Sequence, residues 1–373
     1  MALTKYTLGD LIDRNNETNI DLKYGVEDVR GVLNTKGISS TKVSVEDRDL
    51  SKFLVVRPGG FIFNHRVHDK LGLGYNTSDD VYIFTNDYVA FYVKPEMEGS
   101  VLLSDYLYIW YLRPEFDRYM LYKTYGSATL FFNWDNMCEL EIKLPDITVQ
   151  QKYVDIYKAM VANQQSYERG LEDLKLSMDA LLDKIKHTSE MIPVGDLLKD
   201  VDFRNETGEI TEVQGINISK QFMPSVADTN GVNLNNYKLV KKGQFAYSGM
   251  QTGRDECIRI ALYQGDKPII ISPAYSVFEV KDESVLAEYI MVWFSRAQSD
   301  RRGWFMSDSS IRTNLDLERF YEIKIPVPEM KMQSAIVELY SAYTARRNIS
   351  EQLKAQIKDI CPILIKGSLE DTL

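Results

Sequence analysis

Two stretches of the chain carry apolar residues at alternating steps of three and four, the spacing that keeps them on one stripe of a helix. In the first, from about Val149 to His187, they fall at Tyr153, Tyr157, Met160, Tyr167, Leu171, Leu174, Met178, Leu181 and Ile185, with Gln164 the polar residue in the seam. In the second, from about Gln333, they fall at Ile336, Leu339, Tyr343, Leu353, Ile357, Ile360 and Leu364, interrupted by Arg346 and Ser350. Pro362 predicts an end or a kink there, because proline removes a backbone donor. At 1.5 Å per residue the first helix is roughly 58 Å long, more than a small globular region offers for packing. The seams therefore predict that the two helices pair as an antiparallel coiled coil. The plainer alternative packs each helix on its own globular region.

The rest of the chain is patterned differently. Short β-type runs such as Phe61-Ile62-Phe63, Val81-Tyr82-Ile83-Phe84 and Val277-Phe278-Glu279-Val280 are broken by Gly, Asn and Asp turn signals. A helix is expected around Leu102–Leu112 and another around Val285–Ala297. A strand then ends at Pro145, or at Pro326 and Pro328, before each helical stretch.

This plan occurs twice because the sequence repeats. Leu8-Gly9-Asp10-Leu11 returns as Val194-Gly195-Asp196-Leu197, and Arg57-Pro58-Gly59-Gly60-Phe61 as Lys241-Lys242-Gly243-Gln244-Phe245. Tyr88–Lys94 matches Tyr275–Lys281, and Tyr106, Trp110, Arg113 and Asp117 match Tyr289, Trp293, Arg296 and Asp300. Glu141-Ile142-Lys143-Leu144-Pro145 matches Glu322-Ile323-Lys324-Ile325-Pro326. Subtracting residue numbers puts all of these offsets at roughly 181–187, a consistency that single chance matches do not produce.

Composition adds limits. With 44% hydrophobic and 26% charged residues the 373-residue chain is ordinary globular material with room for two cores. No apolar run approaches the ~20 residues of a membrane span, the N-terminus lacks a signal-peptide pattern, and a cytoplasmic location is expected. Cys138, Cys257 and Cys361 have no zinc or disulfide spacing. His65 and His68 lack a further ligand, so no metal is expected. No methyltransferase-type Asn-Pro-Pro-Tyr, glycine-rich cofactor loop or Walker A motif occurs. No nucleophile–base set can be assembled, so neither an enzyme nor a cofactor is expected. The net charge of −10 runs against nucleic-acid binding, which ordinarily leaves a basic footprint. Residues 149–189 hold six Lys/Arg against six Asp/Glu, and 332–373 five against five, so the acidic excess lies in the globular regions.

The run Thr313-Asn314-Leu315-Asp316 through Ile325-Pro326-Val327-Pro328, followed by Gln333, resembles the close of a target recognition domain in Type I restriction–modification specificity subunits. Asn133-Trp134-Asp135 through Pro145, then Gln150-Gln151, repeats it, with Asp146 departing from the expected Pro-x-Pro. The two Gly-Asp motifs resemble the opening of such domains. The resemblance implies an α+β chain with two pseudo-symmetric, β-rich target recognition domains, residues 1–148 and 190–331, separated by long helices at 149–189 and 332–373. It implies a non-catalytic subunit that reads a bipartite, asymmetric double-stranded DNA site through the major groove. The helices set the spacing and dock two adenine methyltransferase subunits, and a motor–nuclease restriction subunit completes the complex.

Base edges call for bidentate donors and acceptors on loops near strand ends. Asn64, His65, Arg66 and Lys70 after one strand correspond to Ser248, Gln251, Thr252 and Arg254 after its repeat. Lys123, Ser127 and Thr129 before the closing strand correspond to Arg301, Arg302, Ser309 and Arg312. The plainer alternative is solvated loops, with Thr313 and Asp316 forming a helix capping box. Two rival functions remain. One is a coiled-coil adaptor whose duplicated globes bind protein, which the acidic charge favours. The other is an enzyme built on His65 and His68, which would hold a metal.

Overall fold

The β-type runs assemble in the same way twice. The computed structural model describes residues 3–41, 45, 47–126, 129–225, 231–250, 252–308 and 313–371, with the backbone alone at 253 and 254. It divides into two units, Met1–Ser166 with Ser350–Leu373, and Tyr167–Ile349. In the first, Ile12–Asn15, Tyr88–Val93, Phe61–Asn64 and Leu73–Tyr75 form an antiparallel sheet in that order. In the second, Leu198–Asp200, Ser276–Val280, Phe245–Ser248 and Arg259–Leu262 repeat the order and the pairing. Aromatic residues alternate along these strands toward one core, and the residues between them, Ile62, Ala90 and Ala246, are buried in smaller clusters on the other face. Phe61 stacks on Phe91 at 5.0 Å, and Phe278 on Phe320 at 5.8 Å.

Helices Ser104–Tyr111 and Ala287–Phe294 fall where the pattern placed them. Each is followed by a second helix, Pro114–Lys123 or Ala297–Met306. The opening motif of each half folds as a one-turn helix, Leu8–Leu11 or Val194–Leu197. Its glycine is required by close packing. A Cβ on Gly9 would lie 2.9 Å from the Cys138 Cβ, and one on Gly195 would lie 2.8 Å from the Tyr321 Cβ.

Each unit closes by pairing its first strand with its last, Thr4–Thr7 with Glu141–Leu144 and Glu190–Pro193 with Lys324–Val327. This pairing corrects the repeat register. Leu144 faces Thr4 as Val327 faces Glu190, so Glu141 corresponds to Lys324 and Pro145 to Pro328, two residues away from the match of identical letters. Lys143, not Asp146, therefore occupies the place of the first proline of the Pro-x-Pro. The same shift makes Asn133 and Asp316 the equivalent helix caps. Asp316 alone accepts from Arg319 N, at 2.9 Å, so the expected Thr313/Asp316 capping box does not form.

A buried glutamine then launches each long helix. Gln150 accepts from Leu103 N at 3.1 Å and donates to Val101 O and Pro145 O at 2.8 and 2.9 Å. Gln333 accepts from Leu286 N at 2.9 Å and donates to Ser284 O and Pro328 O, both at 2.9 Å.

The long helices span Ile147–Thr188 and Met330–Glu370. Pro362 does not end the second, which continues to Glu370. Burial of Cys361, Leu364 and Ile365 holds the turn around it in place. The helices pair antiparallel within each unit. In the first, Lys152 meets Asp371 at 2.6 Å and Gln164 donates to Ser350 at 3.3 Å, while Ser368 meets Tyr106 of the globular helix at 2.7 Å. Val154, Cys361 and Ile365 join the globular core, with Tyr157 packed against it. Met160, Leu353, Ile357 and Ile360 are half-buried. In the second, Met178, Ile185 and Ile336 are buried in the core and Leu181 and Leu339 pack on it, while Leu171, Leu174 and Tyr343 are half-buried. The polar interruptions are absorbed: Ser350 takes the Gln164 bond, and the Arg346 guanidinium lies 5.0 Å from the Tyr167 ring centre. Both readings of the stripes therefore hold, since each pairing half also packs on a globe. Among the described residues no helix is long and apolar enough to cross a membrane.

Removing a clamp should be costly, because three backbone groups lose their partner together. Gln333→Ala is expected to cost roughly 2–4 kcal/mol, measured as a lowered urea midpoint. Gln151→Ala, at an exposed position, should stay within about 0.5 kcal/mol of the parent. Equal losses in the two variants would refute the clamp.

Candidate nucleic-acid interface

The two candidate loops of each half are far apart in sequence and meet in the fold. In the first unit the chain leaves the sheet at Asn64, whose side chain accepts from Arg66 N at 3.0 Å. Arg66–Val67 then pairs antiparallel with Leu130–Phe131. Phe132 N donates to His65 O at 2.9 Å, and the His65 ring stacks on Phe131 at 5.6 Å. His65 Nδ1 lies 2.6 Å from Asp87 O, so the imidazole is a brace between the loops. Among the described residues no group of three His, Cys, Asp or Glu is placed to hold a metal. Arg66, Lys70 and Thr129 are exposed. Arg66 is only loosely paired, 3.7 Å from Asp87. Lys123 binds Glu139 at 2.9 Å, and that carboxylate raises its pKa.

In the second unit the crossing is tighter. Leu315 N donates to Gly249 O at 2.9 Å, and the Tyr247 hydroxyl donates to Leu315 O at 2.7 Å. A Cβ at 249 would overlap the Leu315 carbonyl oxygen, so glycine is needed where the loops touch. Ser248 and Thr252 do not face outward. Ser248 is buried in its strand opposite Arg259, and Thr252 is fully buried with its hydroxyl donated to Gly249 O at 3.1 Å. Their polarity supports the loop from inside. Arg301 and Arg302 are exposed on Ala297–Met306. Ser127, Gln251, Ser309 and Arg312 lie outside the described residues, and of Arg254 only the backbone is described, in the turn Thr252–Asp255.

The helix that feeds the second loop is held by an ion pair that the sequence did not disclose. Lys36 and Lys220 sit at turns with φ of 64° and 60°, where the chain folds back between two short strands. Each buries its ammonium and reaches the helix, Lys36 to Asp117 and Lys220 to Asp300, both at 2.6 Å. Burial pushes the Lys36 pKa down, and the Asp117 carboxylate opposes it. The repeat had marked the two aspartates; an isolated lysine in a polar turn carries no comparable signal. The remaining repeated residues are structural as well. Arg113 stacks on Trp110 at 4.2 Å and Arg296 on Trp293 at 4.7 Å. Also unforeseen are Tyr122 and Phe305, 84% and 76% exposed at equivalent positions near the ends of these helices.

Leaving one charge of a buried pair alone costs more than removing both. Asp117→Ala is expected to cost roughly 3–5 kcal/mol in urea denaturation. Lys36→Met combined with Asp117→Leu should recover most of that loss, and a double variant no better than the single would refute the pairing.

With this geometry in place, comparison with known proteins gives three results. Residues 211–359 match the family model described as the Type I restriction modification DNA specificity domain. No curated protein matches the chain. Among solved structures, a Type-I restriction-modification system S subunit from M. genitalium is similar over 99% of this chain and 96% of its own, at 13% identity and a TM-score of 0.58. The HsdS subunit from Thermoanaerobacter tengcongensis is similar over 100% and 97%, at 12% identity and a TM-score of 0.40. At these identities the first likeness speaks for the fold alone, and the second is too loose to add to it.

Proposed function

We propose, from the match of residues 211–359 to the Type I restriction modification DNA specificity domain, that this chain is the DNA-reading subunit of a Type I complex, without catalysis of its own. Residues 1–148 and 190–331 are its two target recognition domains, and 149–189 and 332–373 its spacer helices. Each recognition domain takes one half of a bipartite, asymmetric duplex site through the major groove. The observation that carries this reading is the meeting of two polar loops at equivalent places in both units, Phe132 N donating to His65 O and Leu315 N to Gly249 O, both at 2.9 Å. Asn64, Arg66, Lys70, Thr129, Arg301 and Arg302 are the outward groups that bases and phosphates would meet. The paired helices set the spacing of the half-sites and dock two adenine methyltransferase subunits, with a restriction subunit joining in the cytoplasm. Phosphate contacts from those partners offset the acidic charge of this chain.

Methylation mapping of genomic DNA tests the reading. Cells expressing the chain with its methyltransferase should show one bipartite adenine-methylated motif that disappears with the chain. Absence of such a motif, with assembly intact, would leave the acidic adaptor as the better account. Inserting one helical turn into both long helices should change the spacer and leave both half-sites as they were. A changed half-site, or an unchanged spacer in a complex that still methylates, would refute the ruler.

A further inference from the structure

The two units differ in how they use charge beside the helix that feeds the second loop. In the second unit a concave cleft of about 580 Å³ opens between Ala297–Met306, the C-terminal end of the first long helix and the closing strand. Lys186, Arg301, Arg302 and Lys324 line it. All four are exposed, and among the described residues none of them is in an ion pair. Arg296 also lines the cleft, but its guanidinium is buried and engaged by Asp183. Asp183 and Glu322 are the carboxylates in the wall, so five cations face two acids. Phe305, 76% exposed, adds an aromatic edge, with the Arg302 guanidinium 5.9 Å from its ring centre.

The equivalent surface of the first unit is neutralised. By the strand register Glu141 replaces Lys324, and Lys5 pairs with it at 2.7 Å. Arg118 replaces Arg301 and pairs with Glu115 at 3.1 Å, and Tyr119 stands in place of Arg302. In an acidic chain, four like charges kept together without carboxylate partners repel one another unless an anion joins them.

We propose that this cleft holds the DNA phosphate backbone beside the half-site that the second recognition domain reads. The inference rests on the DNA-reading function proposed above and adds Lys186 and Lys324 as phosphate contacts. The helix bearing Arg301 and Arg302 packs at Gly303 beside Leu315, the residue that bonds Gly249, so one helix serves both the cleft and the loops assigned to the bases. That continuity favours duplex DNA over an acidic segment of a partner protein. The cleft fixes position and affinity and carries no sequence information.

The test uses the chain assembled with its methyltransferase, comparing the parent with Lys186→Gln/Lys324→Gln. Binding of a cognate and a scrambled duplex is measured across a range of salt concentrations. Each phosphate contact contributes about one to the slope of log affinity against log salt. The variant is expected to show a slope shallower by about two, equal weakening of both duplexes and an unchanged methylated motif. Lys5→Gln/Arg118→Gln, altering the neutralised surface of the first unit, should leave the slope unchanged. An unaltered slope in the Lys186/Lys324 variant would overturn the proposal, as would a changed motif. Loss of assembly with an unaltered slope would assign the cleft to an acidic protein surface instead. The scrambled duplex keeps this question separate from the parent reading: a wild-type complex lacking a bipartite motif defeats that reading, while its salt slope still decides the cleft.

Discussion

The direction of each long helix depends on one amide side chain. Gln150 and Gln333 are fully buried, a costly place for an uncharged polar group unless every donor and acceptor is satisfied. Each satisfies three backbone groups from two segments, the loop before the globular helix and the proline that ends the closing strand. An apolar residue of similar size would fill the space and leave those groups unpaired. The bonds are directional, so they fix the line on which the helix leaves its own globe, and hydrophobic contact alone would allow sliding. The first and last strands are already paired at this point, so the clamp ties the helix to the best-anchored part of the unit.

The same division between sliding and fixed contacts recurs along the seams. Apolar residues supply burial at the helix ends, where they join the globular cores. Toward the middle, polar side chains set the alignment: Gln164 with Ser350 in one unit and Arg346 over Tyr167 in the other. A polar pair in a helix seam lowers stability and penalises every register that separates its members. Fixed alignment is thereby obtained at the expense of some stability.

Much of this was legible in the sequence because periodicity and duplication report on backbone geometry directly. The three-and-four spacing located both long helices to within about three residues at the predicted boundaries. The repeat found the first globular helix of each unit and not the second. What escaped depended on contacts across the chain. Similar letters around Pro145 and Pro326 aligned two residues away from the strand register, because a short Glu-Ile-Lys motif matches itself at a slip and only the partner strand resolves it. Ser248 and Thr252 belong to a polar, turn-like stretch, yet the strand continues inward and their hydroxyls are buried. Pro362 obeyed local chemistry less than the burial of its neighbours. Lys36 and Lys220 were invisible because their role rests on a left-handed turn and on an aspartate about 80 residues away.

The acidic net charge is an argument about the average surface, and binding depends on the local one. The second unit shows how the two separate. Among the described residues Lys186, Arg301, Arg302 and Lys324 at the cleft lack carboxylate partners, while Glu141 and Arg118 at matching positions of the first unit are in ion pairs. Duplication preserved the scaffold, with its glutamine clamps and buried Lys–Asp pairs, and let the outward charges diverge. Buried contacts constrain one another, so a change in one unit is penalised by its neighbours there. Exposed residues are coupled only weakly to their surroundings. Symmetry is thereby kept in the buried frame and lost among the exposed charges.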